Sequence, residues 1–161
     1  MNKVIFENNM LSVSVDKMRH LKLHQKNGGV VIIAAHENKY AIIQHIRNSE
    51  VLYEFPRGFL EAGESHLIGG ERELKEELNL ESSNSHLLGQ LLTDSGLISD
   101  NIQVILCEVD DIDQLSPQKN EGIMCCKFYS REEIFDMIKQ GLIKDNFTLS
   151  SIILLITKNS S

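Results

Sequence analysis

Three glutamates, Glu73, Glu76 and Glu77, fall within about one helical turn of each other. Carboxylates so close repel one another, and more strongly where solvent is excluded. A divalent cation among them removes that cost, and an all-oxygen donor set suits Mg²⁺ or Mn²⁺ and not zinc. Arg72 stands at i,i+4 from Glu76, so on a helix its guanidinium can hold that carboxylate in position. Glu73 and Glu77 are related in the same way and would meet over one ion. Upstream, Gly58 opens a glycine-punctuated stretch that also carries Glu64. An acidic run by itself is usually a solvated helix face.

These side chains need a helix and a loop to position them. Ser65 is a fitting N-cap, because its hydroxyl can accept from a free amide of the first turn. Leu67, Leu74 and Leu78 then share one face, which is expected to pack on a sheet. The three glutamates are expected to point away from that face, toward solvent. Asn79 suits a left-handed helix end. Gly69 and Gly70 inside the helix each cost up to about 1 kcal/mol relative to alanine. Close approach of the helix to the loop or the sheet would account for them.

The rest of the chain reads as alternating strands and helices. Residues 3–6 and 10–15 form a hairpin around Glu7-Asn8-Asn9, and 17–27 is polar and basic, which reads as a loop. Gly29 to Ala35 is a buried strand. Glu37-Asn38 turns it into a second strand, Tyr40 to Ile46. Tyr53 to Phe55 is a short strand leading through Pro56 into the loop at Gly58. Ser85 to Leu92, Ile102 to Val109 and Ile123 to Tyr129 are further strands. Asp110 to Gly122 lacks periodicity and reads as a mobile loop. Ser130-Arg-Glu-Glu133 is a capping box that opens a helix, and Gly141 fits its C′ end. Leu149 to Thr157 is a final apolar helix. The fold class expected is α+β, a mixed sheet sandwiched between helices, in one domain over 1–161 with a short hairpin extension at 1–28.

Composition narrows the function. The 161 residues carry 16 basic and 23 acidic side chains, a net charge of −7. That excludes the basic field that non-specific nucleic-acid or acidic-membrane binding requires. A nucleotide substrate remains compatible, because bound cations reverse the local field. The cysteines, Cys107, Cys125 and Cys126, are odd in number and form no disulfide or zinc spacing; Cys125-Cys126 reads as buried strand. The six histidines are scattered and are read as non-ligands. The start of the chain has no signal-peptide core, and no apolar run reaches the ~18 residues of a membrane span. A cytoplasmic location is the expectation.

The segment from Gly58 to Leu80 resembles the Nudix box, G-x5-E-x7-R-E-U-x-E-E-x-G-U with U aliphatic. Gly58, Glu64, Arg72, Glu73, Leu74, Glu76, Glu77 and Leu80 match, and Asn79 replaces the second glycine. Ile42 to Arg47 and Tyr53 to Gly58 resemble the ADP-ribose pyrophosphatase-like branch, as do Asn120 to Ile123, Ser130 to Glu133 and Gly141 to Asp145. Ser95 departs from that branch, which has proline there, and only about 28 residues precede the core strand. The branch often carries a longer N-terminal subdomain that contributes to a dimer, so a homodimer stays open.

The resemblance implies the α/β/α Nudix fold and Mg²⁺- or Mn²⁺-dependent hydrolysis of a diphosphate linkage between a nucleoside diphosphate and another moiety. ADP-ribose or a nucleotide sugar is the substrate class it favours. It also implies metal ligation by Glu73, Glu76 and Glu77, with Glu64 and a backbone carbonyl near Gly58 as further ligands. The general base is either a helix glutamate or a loop carboxylate, for which Glu121 is the candidate. Arg47 and Arg57 are candidate phosphate clamps. Phe59 or Tyr53 could stack on a base, although core packing is expected of both. Two rival readings stand beside this one. The first is a nucleoside triphosphate house-cleaning pyrophosphohydrolase. The second, from another class, is a non-catalytic Nudix-fold nucleotide sensor, which would be expected to lack ligand glutamates present here.

Overall fold

The computed structural model describes residues 2–158. In chain order the elements are β1 (Lys3–Glu7), β2 (Leu11–Val15), β3 (Leu21–Gln25), β4 (Gly29–His36), β5 (Lys39–Arg47), β6 (Glu50–Glu54), β7 (Arg57–Phe59) and α1 (His66–Leu78). They continue with β8 (Asn84–Leu91), β9 (Ile98–Ser99), β10 (Ile102–Glu108), a 3-10 turn (Lys119–Glu121), β11 (Ile123–Tyr129), α2 (Arg131–Lys139) and α3 (Asn146–Lys158).

Val30 to Ala34 on β4 are almost completely buried, so that strand must be covered on both faces. It sits inside a seven-stranded sheet whose main path runs β11-β5-β4-β10-β8, with β6 on β5 and β7 on β4. The β4–β10 pair is parallel and the other pairs are antiparallel, which makes the sheet mixed. Alternation along β4 divides the core. Val30, Ile32 and Ala34 pack with Leu74 and Leu78 of α1. Val31 and Ile33 face the other way, with Ile134 and Met137 of α2 and Ile152 and Leu155 of α3. This is the mixed α+β sandwich expected from the sequence. A second, four-stranded sheet runs β1-β2-β3-β9.

Two stretches read as loops contain strands, the one at Gly58, where Arg57–Phe59 pairs with β4, and residues 17–27. Residues 17–27 are not a loop throughout, because Leu21–Gln25 pairs with β2 along its length and with β9 in parallel. The alternation of Leu21 and Leu23 with polar neighbours is too short a signal by itself. Leu21–Gln25 is a strand because it folds back on β2 as an antiparallel hairpin over all five residues, and Ile98 and Ser99 add a short parallel edge. Helix α3 starts three residues earlier than its apolar run, because Asp145 Oδ2 accepts from the Thr148 amide at 2.8 Å, as a capping carboxylate does. The capping box of α2 is formed by Ser130 and Glu133, and Gly141 follows with φ 71°.

Helix α1 shows why its glycines are there. A Cβ on Gly70 would lie 1.9 Å from Ile105 Cδ1, and one on Gly69 would lie 2.3 Å from Leu60 Cδ2. The glycines let α1 settle directly onto the sheet and the preceding loop. Gly70→Ala is therefore expected to destabilise the fold by about 1–3 kcal/mol through overpacking, despite the better helix propensity of alanine. Thermal denaturation checks this, and an unchanged or higher Tm would refute the close approach as the reason for glycine.

Candidate active site

Ser65 accepts from the Ile68 amide and starts α1, while Asn79 ends it in a left-handed conformation at φ 57°. Between these caps the helix places Arg72, Glu73, Glu76 and Glu77 beside strand β7. Gly58 of β7 lies against Glu73 so closely that a Cβ there would sit 2.0 Å from Glu73 Cδ. Glycine lets the backbone pass next to that carboxylate, which a side chain here would push aside.

Arg72 is the hub. Its Nε and Nη2 each donate to Glu64 at 2.9 Å, its Nη1 donates to Glu73 at 3.0 Å and Glu76 at 2.7 Å, and Nη2 also donates to the Phe59 carbonyl at 3.0 Å. The sequence suggested only the Glu76 contact. One guanidinium thus serves three carboxylates.

The expectation that all three helix glutamates face solvent is corrected. The Glu76 side chain is 50% exposed and that of Glu73 12%, whereas Glu77 is only 3% exposed as a residue. Glu77 lies beside the buried Leu78, and the loop before β11 closes over this end of the helix. The Gln118 amide donates to the Glu77 carbonyl at 2.8 Å, and the Ser116 amide to that of Leu78 at 2.9 Å. Glu77 Oε2 is left buried without a hydrogen-bond partner.

Glu73, Glu76 and Glu77 line a cavity of about 1360 Å³ that also takes in Gly58, Arg72 and Glu121. Arg47 and Arg57 line it too, so the two candidate phosphate-binding arginines and the glutamate cluster share one space. Glu64 does not line it and stands behind Arg72. Glu121, in the 3-10 turn, is exposed. Asn8 to Leu11, Leu23 and Gln25, from the four-stranded sheet and its β1–β2 turn, line it as well. Phe59, expected to pack in the core, is 56% exposed and lines the cavity. Tyr53 packs against the core as expected.

The family model of the NUDIX domain matches residues 23–148. The chain belongs to the Nudix family. It is a Nudix hydrolase, an enzyme acting on phosphoanhydride bonds, and hydrolases of this family use divalent metals. A solved structure described as an ADP compounds hydrolase is similar with a TM-score of 0.75 at 14% identity, covering 98% of this chain and 90% of that one. A NUDIX hydrolase from Nitrosomonas europaea is similar with a TM-score of 0.65 at 23% identity, covering 82% of this chain and 89% of that one. At these identities both show the fold. No curated protein sequence matches the chain.

The electrostatics of this Nudix site are uneven. The hydrogen bonds from Arg72 hold the Glu64 carboxyl below the usual range. Burial pushes Glu73 up, opposed by Arg72 and reinforced by the charges of Glu76 and Glu121. Glu77 is pushed up to about 8, first by burial and then by the charges of Glu73 and Glu121. Among the described residues, no three His, Cys, Asp or Glu side chains stand together closely enough to hold one ion as arranged. The donor set nevertheless fits a hard cation. Its atoms are all oxygens, one buried carboxylate oxygen lacks a partner, and one arginine faces an excess of negative charge.

One functional group was not foreseen. Glu54 is fully buried, yet it is an acid. Its Oε1 accepts from Arg47 Nε at 2.7 Å and lies 3.0 Å from His45 Nδ1; its Oε2 accepts from Arg57 Nη2 at 3.4 Å. Arg57 also lies 4.7 Å over the Phe147 ring. A glutamate between Tyr53 and Phe55 in a short strand carries no local signal that three basic side chains will converge on it. The cysteines are free; of the pair expected as buried strand, Cys126 is buried and Cys125 half-buried, and Cys107 is buried too. Among the described residues no helix is long and apolar enough to cross a membrane.

Proposed function

We propose that this Nudix hydrolase cleaves the diphosphate linkage of a nucleoside diphosphate joined to a second moiety, with ADP-ribose or a nucleotide sugar as substrate and Mg²⁺ or Mn²⁺ as cofactor. The observation that carries this reading is one cavity lined both by Glu73, Glu76 and Glu77 and by Arg47 and Arg57. Its volume of about 1360 Å³ exceeds the usual range for a compact ligand and suits an extended one. The two arginines share the buried charge of Glu54, so together they offer a net of about one positive charge, suited to a diphosphate more than a triphosphate. The lining from the four-stranded sheet supports reading 1–161 as one functional unit. A structural neighbour described as acting on ADP compounds is consistent with the substrate class.

In this reading Glu73, Glu76, Glu77 and the Gly58 carbonyl hold the metal, and Glu64, engaged by Arg72 outside the cavity, would have to leave that bond to join them. When bound, the metal neutralises phosphate charge and lowers the pKa of a bound water. Arg72 orients Glu64, Glu73 and Glu76. Arg47 and Arg57 bind and orient the phosphates. Glu121, on the rim of the same cavity, accepts a proton from the attacking water.

The test is a substrate panel. ADP-ribose or a nucleotide sugar is expected to show a higher kcat/KM than any nucleoside triphosphate; a tenfold or greater preference for a triphosphate would replace this reading with the house-cleaning one. Glu121→Gln is expected to lower kcat by about 10²–10⁴, the usual worth of a general base, with little change in KM. A drop of less than threefold would move the base to the Glu73–Glu77 turn.

A further inference from the structure

We propose that His45, buried on β5, is a positioning residue that fixes the Lys119–Gly122 turn against β5 and so sets where the Glu121 carboxylate stands. The turn is tied down at three points. At its start the Gln118 amide donates to the Glu77 carbonyl at 2.8 Å, and at its end the Ile46 amide donates to the Gly122 carbonyl at 2.9 Å. Between them, the carbonyl of Glu121 itself lies 2.9 Å from His45 Nε2. A carbonyl oxygen can only accept, so Nε2 carries the hydrogen.

The imidazole is held for this task. His45 is 6% exposed on β5, and its other nitrogen, Nδ1, lies 3.0 Å from Glu54 Oε1, near but out of line for a hydrogen bond. The same oxygen accepts from Arg47 Nε at 2.7 Å. The fully buried carboxylate thus orients Arg47, while His45 is held by its burial on β5 and by the Glu121 carbonyl. Gly122 makes the close seat feasible: it has φ 86°, and a Cβ there would lie 3.2 Å from the Ile46 carbonyl and 3.4 Å from the His45 ring. A loop tip without such ties would spread its carboxylate over many positions. A misplacement of about 1 Å can cost a catalytic group much of its effect.

The catalytic consequence rests on the reading of Glu121 as the base; the positioning does not. His45→Leu removes the donor while keeping an apolar fit, and His45→Gln returns an amide donor near the Nε2 position. Hydrogen exchange reads the turn directly, because the Glu121 and Gly122 amides are protected by bonds to the Gln118 and Lys119 carbonyls. His45→Leu is expected to speed exchange at these two amides and to lower kcat about tenfold, near the worth of one hydrogen bond, with KM little changed. His45→Gln is expected to recover most of both. In a Glu121→Gln background, His45→Leu is expected to cost little more.

Unchanged exchange in His45→Leu would overturn the proposal, even with Glu121 still essential. So would an equal loss of kcat in both backgrounds where Glu121→Gln alone is strongly impaired. Faster exchange together with a Glu121→Gln enzyme of near-normal kcat would uphold the positioning and remove Glu121 as the base.

Discussion

Glu77→Gln is expected to lower kcat at least about a hundredfold, roughly 3 kcal/mol of barrier, while the metal-free protein melts no lower than the wild type. The two halves come from one fact, the burial of a carboxylate whose Oε2 has no partner. In the metal-free protein its pKa is pushed from 4.5 to about 8. A group whose folded pKa lies above its unfolded value binds its proton more tightly when folded. Its stabilising contribution is therefore complete below about pH 4.5 and is lost as pH rises through about 8. Glutamine has nearly the same shape and no charge to desolvate, so the variant escapes that loss. Melting curves between pH 5 and about 9 in EDTA should show a falling Tm for the wild type and a flatter line for Glu77→Gln. Added Mg²⁺ or Mn²⁺ should raise the wild-type Tm more than that of the variant. Near-normal turnover by Glu77→Gln would show that the buried carboxylate is structural only.

How much of this was legible in the sequence depends on how local each cause is. The caps Ser65 and Asn79, the capping box at Ser130, and the close approach at Gly69 and Gly70 follow from residue types within a few positions. All appear in the structure as read. The strand at Leu21–Gln25 was missed because its polar, basic residues mask a short alternation, although its main partner, β2, is close in sequence. For Glu77 the cause is distant. Helical geometry places it at the edge of the apolar stripe, and only the return of the chain at Ser116 and Gln118 decides that it is covered. Phe59 was expected in the core because of its type, but β7 is three residues long and presents it to the cavity. Glu54 and His45 are the clearest case. Their types suggested nothing, and their meaning comes from Arg47, Arg57 and Glu121, which the fold brings together from separate elements.

Removal of divalent metal is expected to abolish turnover, by about 10³-fold or more, and return of Mg²⁺ or Mn²⁺ to restore it. The structural argument is charge. Glu64, Glu73 and Glu76 all lean on Arg72, and Glu77 has no cation within hydrogen-bonding contact. A diphosphate brought into the cavity adds further negative charge, and Arg47 and Arg57 already share Glu54. Without a further cation the substrate's phosphates and the glutamates repel each other. Affinity should also depend on pH, because the metal must displace the proton that burial holds on Glu77. Binding should tighten as pH rises toward about 8 and level off above it. Titration of Mg²⁺ or Mn²⁺ at several pH values, followed by calorimetry without substrate, separates this from any effect on chemistry. In Glu77→Gln the pH dependence should shrink along with the affinity. Full turnover in metal-free buffer would sink the metal mechanism, and a flat affinity from pH 6 to about 9 would show that Glu77 is not among the ligands.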